Sequence, residues 1–144
     1  MTDEERDRFA AMVDDEQRQP LTYFKHDVLA HDDPALQELR DTWGMGAYGR
    51  YWLLVELLAG RRDHRYDVST PNGAARLARD LETDAAGLVE FVGSLDSLGL
   101  IVHDLYAERG IVTIDRIARN ARESAEYVTK RRLGARKTNQ KRWG

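Results

Sequence analysis

The 144-residue chain contains no cysteine and no long hydrophobic run. Without cysteine, neither a disulfide framework nor a thiolate metal site can form, and a reducing compartment is the natural setting. The apolar stretches are far too short to span a bilayer, and the acidic N-terminus lacks the apolar segment of an export signal. We therefore expect a cytoplasmic protein that does not cross a membrane.

Acidic residues are few at the C-terminal end of the chain, where basic residues are concentrated, and they outnumber basic residues in the rest. The formal net charge of −3 conceals a net charge of +8 on residues 116–144, which leaves −11 on residues 1–115. A chain polarised in this way is typical of a basic arm that binds a polyanion, attached to a body that would repel one. The alternative interpretation is a charged helix end that is simply solvated.

The first third of the chain carries clear helix boundaries. Residues 1–20 scatter a few apolar positions among many acids, and Pro20 closes a segment that predicts either a marginal helix or a loose arm. Asp33 suits an N-cap, and the following proline suits the first position of a helix that Gly44 ends. The wide apolar face between Gly44 and Gly60 predicts the main core helix.

A helix-turn-helix is predicted in the middle of the chain. A short strand is expected near residues 66–68. Thr70 and the proline after it begin a helix that runs to about Leu81, and Asp84 begins another that ends at Gly99.

The sequence after Gly99 changes to β-rich runs and then returns to a helical pattern. Residues 100–102 and 111–114 predict two antiparallel strands, and the polar stretch 103–110 predicts the loop between them. Residues from Ile117 to about Arg132 predict a last helix, followed by a flexible tail.

This order of elements predicts a mainly α fold with a small β-hairpin. The arrangement is that of a winged helix-turn-helix with extra N-terminal helices and a C-terminal basic helix. The expected segments are an acidic N-terminal arm at 1–20, a winged-helix domain at 21–115, and a basic helix and tail at 116–144.

Several motifs within residues 21–133 resemble one family. They are the Tyr23-Phe24 entry followed by spaced aspartates, Gly46-x-x-Gly49-x-Tyr51-Trp52, Ser94-Leu95-x-x-Leu98-Gly99-Leu100, and Gly110-Ile111-Val112-Thr113-Ile114 before a basic helix. Together they resemble the N-terminal domain of phage-type replisome organisers, a winged-helix family related to the DnaD-like primosomal proteins. The resemblance implies a winged-helix fold, origin-type DNA binding and assembly with other replication proteins.

The candidate DNA-binding residues are the ten basic residues of the C-terminal segment. They are Arg116, Arg119, Arg122, Lys130, Arg131, Arg132, Arg136, Lys137, Lys141 and Arg142. Guanidinium groups at helical spacing can follow a row of phosphates. The alternative is pairing within the helix, because Glu123 and Glu126 stand at helical spacing from several of these residues.

The second helix of the helix-turn-helix has the wrong charge for reading bases. It carries Asp84, Glu90 and Asp96 and no Lys or Arg, and only Ser94 and Ser97 offer hydrogen bonds to base edges. We therefore expect weak base readout. Three other arginines, Arg76, Arg79 and Arg109, are candidates for backbone contacts.

Two other functions remain open at this point. The domain can be a protein-interaction module that forms homo-oligomers, with its acidic helix facing the basic segment of another copy. A metal-dependent hydrolase built on His26, Asp27, His31 and Asp32 is a weaker alternative, because surface polar residues and a helix cap explain the same pattern. No P-loop and no Gly-x-Ser-x-Gly motif occurs, so we expect no enzyme activity and no cofactor.

Overall fold

A computed structural model describes the backbone of residues 1–143 and the side chains of residues 1–136. Seven α-helices and two short strands make up the described chain. In order they are α1 (Asp3–Gln17), α2 (Pro34–Trp43), α3 (Met45–Ala59), β1 (Tyr66–Asp67), α4 (Pro71–Asp80), α5 (Ala85–Ser97), α6 (His103–Arg109), β2 (Ile111–Val112) and α7 (Asp115–Trp143). Single 3-10 turns lie at Ala30–Asp32 and Arg62–His64.

Three helices begin at the N-caps that the sequence indicated. The Asp33 carboxylate accepts hydrogen bonds from two backbone N–H groups in the first turn of α2, at 3.0 and 3.2 Å. Thr70 caps α4 through the N–H of Gly73 at 3.1 Å, and Asp84 caps α5 through the N–H of Gly87 at 2.7 Å. Such caps satisfy N–H groups that have no partner within the helix, and each contributes about 1 kcal/mol.

The core surrounds α3, as its wide apolar face predicted. Tyr51, Leu54 and Leu58 are at most 2% exposed, and α2, α4 and α5 add further buried aliphatic and aromatic side chains. Burying each such side chain contributes roughly 1.5–3 kcal/mol. Ile117, from the first turn of α7, also belongs to this core, so α7 is anchored to the body of the protein.

The small antiparallel sheet is present, and β1 and β2 lie within the strands predicted at 66–68 and 111–114. The predicted pairing of 111–114 with 100–102 as a hairpin is wrong. β1 pairs with β2, with Tyr66 opposite Val112 and Asp67 opposite Ile111. The run at 100–102 contributes one backbone bond, from Val102 N–H to the Thr113 carbonyl at 3.0 Å. Residues 103–109 form α6, so the predicted loop is wrong. The mainly α fold with a small antiparallel sheet is confirmed in this coarser form.

Gly110 lets the chain turn from α6 into β2. It is the C-cap of α6 and has a left-handed backbone with φ of 65°, a conformation that glycine adopts without strain. A Cβ atom at this position would lie 2.9 Å from the Cβ of Ser69. A backbone hydrogen bond from Val68 N–H to the Gly110 carbonyl oxygen, at 2.8 Å, holds the end of α6 against the loop that follows β1.

The two ends of the chain form a helical pair. Of the two alternatives for residues 1–20, the helix is correct, because α1 packs along α7. Val13 on α1 and both Ala125 and Thr129 on α7 are at most 2% exposed. The backbone of α7 stays helical as far as Trp143, where a flexible tail was predicted. In the described part of the chain, no helix combines the length and apolar character needed to cross a membrane.

Candidate nucleic-acid interface

The helix α7 has one buried face and one exposed face. Ile117, Ala121 and Ala125 recur every four residues and are about 2% exposed, so they fix the orientation of the helix against the rest of the protein. Because this face is buried, the packing of α7 decides in which direction each of its basic side chains points. Only some of them can reach a ligand in solution.

Two of the predicted basic residues point to the acidic helix α1. The Arg122 guanidinium lies 3.6 Å from the Asp14 carboxylate and 3.3 Å from that of Glu126, and it donates a hydrogen bond to the Gln17 side chain. The Arg132 guanidinium lies 3.1 Å from the Glu16 carboxylate. The predicted pairing between Arg122 and Glu126 is therefore present, and α1 adds acids that sequence spacing could not indicate.

Arg116 points toward the core. Its guanidinium lies 4.0 Å from the carboxylate of Asp33, the N-cap of α2, and one of its terminal nitrogens is buried without a hydrogen bond. Burial raises the pKa of the neighbouring Tyr51 hydroxyl, and the positive charge of Arg116 opposes that rise. Arg116 thus links the first turn of α7 to α2. Its side chain is 35% exposed and lines the same open cavity as Arg119, so it is less available to DNA than Arg119 but not hidden from it.

The remaining described basic residues of α7 have no acidic partner. Arg119, Lys130 and Arg136 are exposed and form no ion pair with any described residue. The guanidinium of Arg131 lies 5.7 Å from the centre of the Tyr127 ring, and Tyr127 is itself 62% exposed. We call Arg119, Lys130, Arg131 and Arg136 the outer basic surface. Three further candidates, Lys137, Lys141 and Arg142, have side chains outside the described residues.

The sequence analysis missed one basic residue close to this surface. Lys25 comes from the irregular segment after α1, and its ammonium lies 3.1 Å from the Glu123 carboxylate on α7. Lys25 and Arg119 line the same open cavity of about 500 Å³. Nothing in the sequence could indicate this contact, because the two residues are far apart in the chain and belong to no motif.

The exposed side of α5 offers no hydrogen-bond donor for a base edge. Ser94 is 9% exposed, and its hydroxyl donates to the Phe91 carbonyl oxygen at 2.6 Å. Ser97 is exposed, but its hydroxyl donates to the Gly93 carbonyl oxygen at 3.0 Å. Both hydroxyl groups therefore donate their hydrogen bonds to the backbone of α5.

The acids of α5 are either exposed or paired with a histidine. Glu90 is exposed on the helix, while the Asp96 carboxylate lies 2.9 Å from Nδ1 of His103 at the start of α6. The hydrogen bond and charge of Asp96 raise the pKa of the His103 imidazole. The outer side of α5 thus remains acidic, which opposes its approach to phosphates.

The other candidate arginines lie apart from the outer basic surface. Arg76 and Arg79 line a shallow cavity of about 620 Å³ on the exposed side of α4, and the Arg79 guanidinium lies 3.9 Å from the carboxylate of Asp80. Arg109 is exposed in the last turn of α6. None of the three contacts a described basic residue of α7 or shares a cavity with one, so each stays a candidate for an isolated backbone contact.

The residues of the metal hypothesis have other partners. The His26 ring stacks on Trp52 with centroids 3.8 Å apart, and Nδ1 of His31 lies 3.0 Å from the Val28 carbonyl oxygen. Nowhere in the described chain do three His, Asp or Glu side chains gather so that they could hold a metal ion.

Comparison with known proteins gives one match. The family described as Lin1244/Lin1753-like, N-terminal, matches residues 23–117, which is more than half of the chain. That description names no activity and no ligand. No curated protein matches, and no solved structure matches. The matched segment ends in the first turn of α7, so it includes neither α1 nor the outer basic surface.

Proposed function

We propose that this chain, which belongs to the Lin1244/Lin1753-like N-terminal family, binds the phosphate backbone of DNA with little sequence preference. The observation that carries the proposal is the outer basic surface, where four Arg or Lys side chains have no acidic partner among the described residues. Solubility alone does not require a cluster of positive charges on a helix next to a body with a large net negative charge.

The length of the outer basic surface suits a row of phosphates. Arg119 and Lys130 are about three turns apart and so lie on the same side of the helix, with a rise of about 16 Å between them, since each residue of an α-helix adds about 1.5 Å. DNA presents a phosphate about every 3.4 Å along the axis of each strand, so this distance corresponds to about five base-pair steps. Each basic side chain that neutralises a phosphate releases a counterion, which favours binding to any sequence.

We propose that the body of the domain is a winged-helix variant. The order α3, β1, α4, α5 and β2, with β1 paired to β2, supports this assignment. The backbone bond between Val102 and Thr113 places the run at 100–102 on the other side of β2, as a third strand of a wing would lie. In this variant, α6 replaces the wing loop.

The proposed biological setting is initiation of phage-type DNA replication. The resemblance of residues 21–133 to phage-type replisome organisers supports it. In this setting α5 is not a recognition helix, because its exposed side carries acids and its serine hydroxyls donate to its own backbone.

Neutral substitutions in the outer basic surface test the proposal. We expect the full-length double variant Lys130→Gln/Arg131→Gln to bind a labelled DNA duplex more weakly, and its slope of log K against log salt to be shallower by about 1.8, or 0.9 for each lost phosphate contact. Truncation after Asp115 is unsuitable, because it would remove Ile117 from the core. Fluorescence anisotropy over roughly 50–200 mM salt measures both quantities.

The matched control removes the same charge from another part of the surface. Arg8 and Arg62 are exposed and form no ion pair with any described residue. Arg8→Gln/Arg62→Gln lowers the net charge by the same amount and should leave the salt slope unchanged. Equal weakening in both variants, or no weakening in either, would contradict the proposed interface.

One observation favours a second candidate function, self-association. Trp43 is 46% exposed and lines a groove with Gly93 and Ser97 of α5 and with Leu98, the C-cap of that helix. Val89 of α5 is 67% exposed. Apolar groups of this size at the surface often mark a protein contact. Sedimentation of the wild type and of Trp43→Ser would test this function. A strict monomer at high concentration in low salt would remove it.

A further inference from the structure

The acidic helix α1 lies where it competes for the charge of α7. It carries seven acids and two arginines, and it packs lengthwise on α7, the element with the opposite charge. Two of its carboxylates, those of Asp14 and Glu16, contact Arg122 and Arg132 at 3.6 and 3.1 Å. Both arginines belong to the predicted DNA-binding set, and neither is part of the outer basic surface. Arg132 is paired with α1 alone, while Arg122 also contacts Glu126 of α7.

We infer that α1 covers a second part of the DNA-binding surface, formed by Arg122 and Arg132, and that DNA phosphates compete with Asp14 and Glu16 for these arginines. This inference rests on the proposed function. It adds a regulatory role for α1, which acts as an internal substitute for a polyanion and weakens DNA binding.

The contacts that hold these carboxylates in place are easily replaced. The Arg122 and Asp14 side chains are 53% and 57% exposed, and Arg132 is 59% exposed while its partner Glu16 is 26% exposed. Water and salt therefore reach both ion pairs, the first more freely than the second. Exposed ion pairs of this kind are weak and screened by salt. Phosphate matches the planar guanidinium group as well as carboxylate does, so DNA can take over the arginines.

The end of α1 is tied to the body of the protein, which keeps the competitor close. The Arg18 carbonyl oxygen accepts a hydrogen bond from Asp63 N–H at 2.7 Å, and the Gln19 carbonyl oxygen lies 2.9 Å from Nε2 of His64. A tethered group acts at a high effective concentration. The carboxylates of α1 therefore oppose DNA even though each ion pair is weak.

The test removes the two carboxylates and keeps the helix. We expect Asp14→Asn/Glu16→Gln, in the full chain, to bind DNA about 2- to 30-fold more tightly, which corresponds to releasing two exposed ion pairs. The slope of log K against log salt should become steeper by up to about 1.8, because two more arginines reach phosphates. Val13 is retained, so α1 stays packed on α7, and circular dichroism before titration checks its helix content.

The matched control is Glu4→Gln/Asp7→Asn. Both residues are exposed on α1, make no ion pair with a described residue, and change the net charge by the same amount. Adding Arg122→Gln/Arg132→Gln to Asp14→Asn/Glu16→Gln should abolish the gain in affinity. An equal gain in the control, or no gain in Asp14→Asn/Glu16→Gln, would overturn the inference.

The same experiment separates this inference from the proposed function. If the wild type binds DNA and Asp14→Asn/Glu16→Gln binds no more tightly, the inference is wrong and the proposed function stands. If neither protein binds DNA at low salt, the proposed function is wrong, and the inference falls with it. Binding by the variant alone would support both.

Discussion

The buried histidine His64 predicts how stability depends on pH. It is 4% exposed, its Nε2 atom lies 2.9 Å from the Gln19 carbonyl oxygen, and its own carbonyl oxygen accepts a hydrogen bond from the Thr113 hydroxyl. Burial lowers the pKa of this imidazole. It is therefore neutral in the folded protein at neutral pH and joins the end of α1 to the core.

The sign and size of the pH effect follow from this lowered pKa. In the unfolded chain the imidazole takes up a proton near pH 6.5, whereas in the folded protein it does so only at lower pH. The unfolded state thus binds more protons, and the free energy of unfolding falls as the pH drops below about 6.5. The loss attributable to His64 is at most about 1.4 kcal/mol per pH unit, and it ends at the folded-state pKa.

The variant His64→Asn isolates this contribution. Asparagine tolerates the positive φ of 54° at this position but does not titrate. Near neutral pH we expect the variant to be less stable by about 1–3 kcal/mol, because the Gln19 carbonyl oxygen loses its partner. Below about pH 6.5 this difference in the free energy of unfolding should narrow, because only the wild type has an imidazole at position 64 that takes up a proton on unfolding.

Urea unfolding of both proteins at a series of pH values measures the difference directly. His103, whose pKa Asp96 raises, affects stability in the opposite direction, since its contribution is lost as pH rises through the folded-state pKa. His103 is present in both proteins, so the difference between them reports His64. A difference that stays constant or widens from neutral pH to about pH 5 would refute the reasoning.

Three further substitutions have expected outcomes. Gly110→Ala should lower the free energy of unfolding by about 1–3 kcal/mol in urea titrations, because it combines a positive φ with a close approach to Ser69; unchanged stability would contradict the tight turn. Asp84→Ala should cost about 1 kcal/mol by the same assay, while Asp84→Asn retains most of the cap to Gly87; equal losses would argue against capping. Ser97→Ala should leave DNA affinity unchanged on unrelated duplexes, and loss of a sequence preference would restore α5 as a recognition helix.

The elements that the sequence predicted correctly are those with local chemistry. Asp33, Thr70 and Asp84 stand before apolar helical patterns, and an N-cap acts on N–H groups only two or three residues away. The core helix α3 was also predictable, because its apolar face is wide. The pairing of β1 with β2 was not, since it joins segments about 45 residues apart and depends on the packing of α4 and α5 between them.

The helix α6 was missed because its sequence context was misleading. Residues 103–109 are polar and lie between two β-rich runs, a pattern typical of a hairpin loop. Yet Leu105, Ala107 and Glu108 are good helix formers, and Gly110 supplies the C-cap. The local propensity for a helix was stronger than the pattern of the flanking runs.

The candidate interface was only half predictable. The positive charge of α7 can be counted in the sequence, but the partner of each side chain cannot. Arg132 is paired because α1 folds back over α7, whereas Arg122 contacts both Asp14 of α1 and Glu126 of α7 itself. Arg119 forms no ion pair with any described residue. Helical spacing alone placed Arg116, Arg119 and Arg122 in one row. Tertiary packing turns Arg122 toward α1. Arg116 and Arg119 line the same open cavity, and of these two only Arg116 forms an ion pair with a described residue, Asp33.

The salt dependence of DNA affinity tests the central claim most directly. Titrations of the wild type on several unrelated duplexes, over roughly 50–200 mM salt, should give a slope of log K against log salt of about −3.6 or steeper, because the outer basic surface provides four unpaired basic side chains. Affinities for the different duplexes should agree within severalfold. A slope near zero, or strong preference for one duplex with a shallow slope, would contradict phosphate binding through α7.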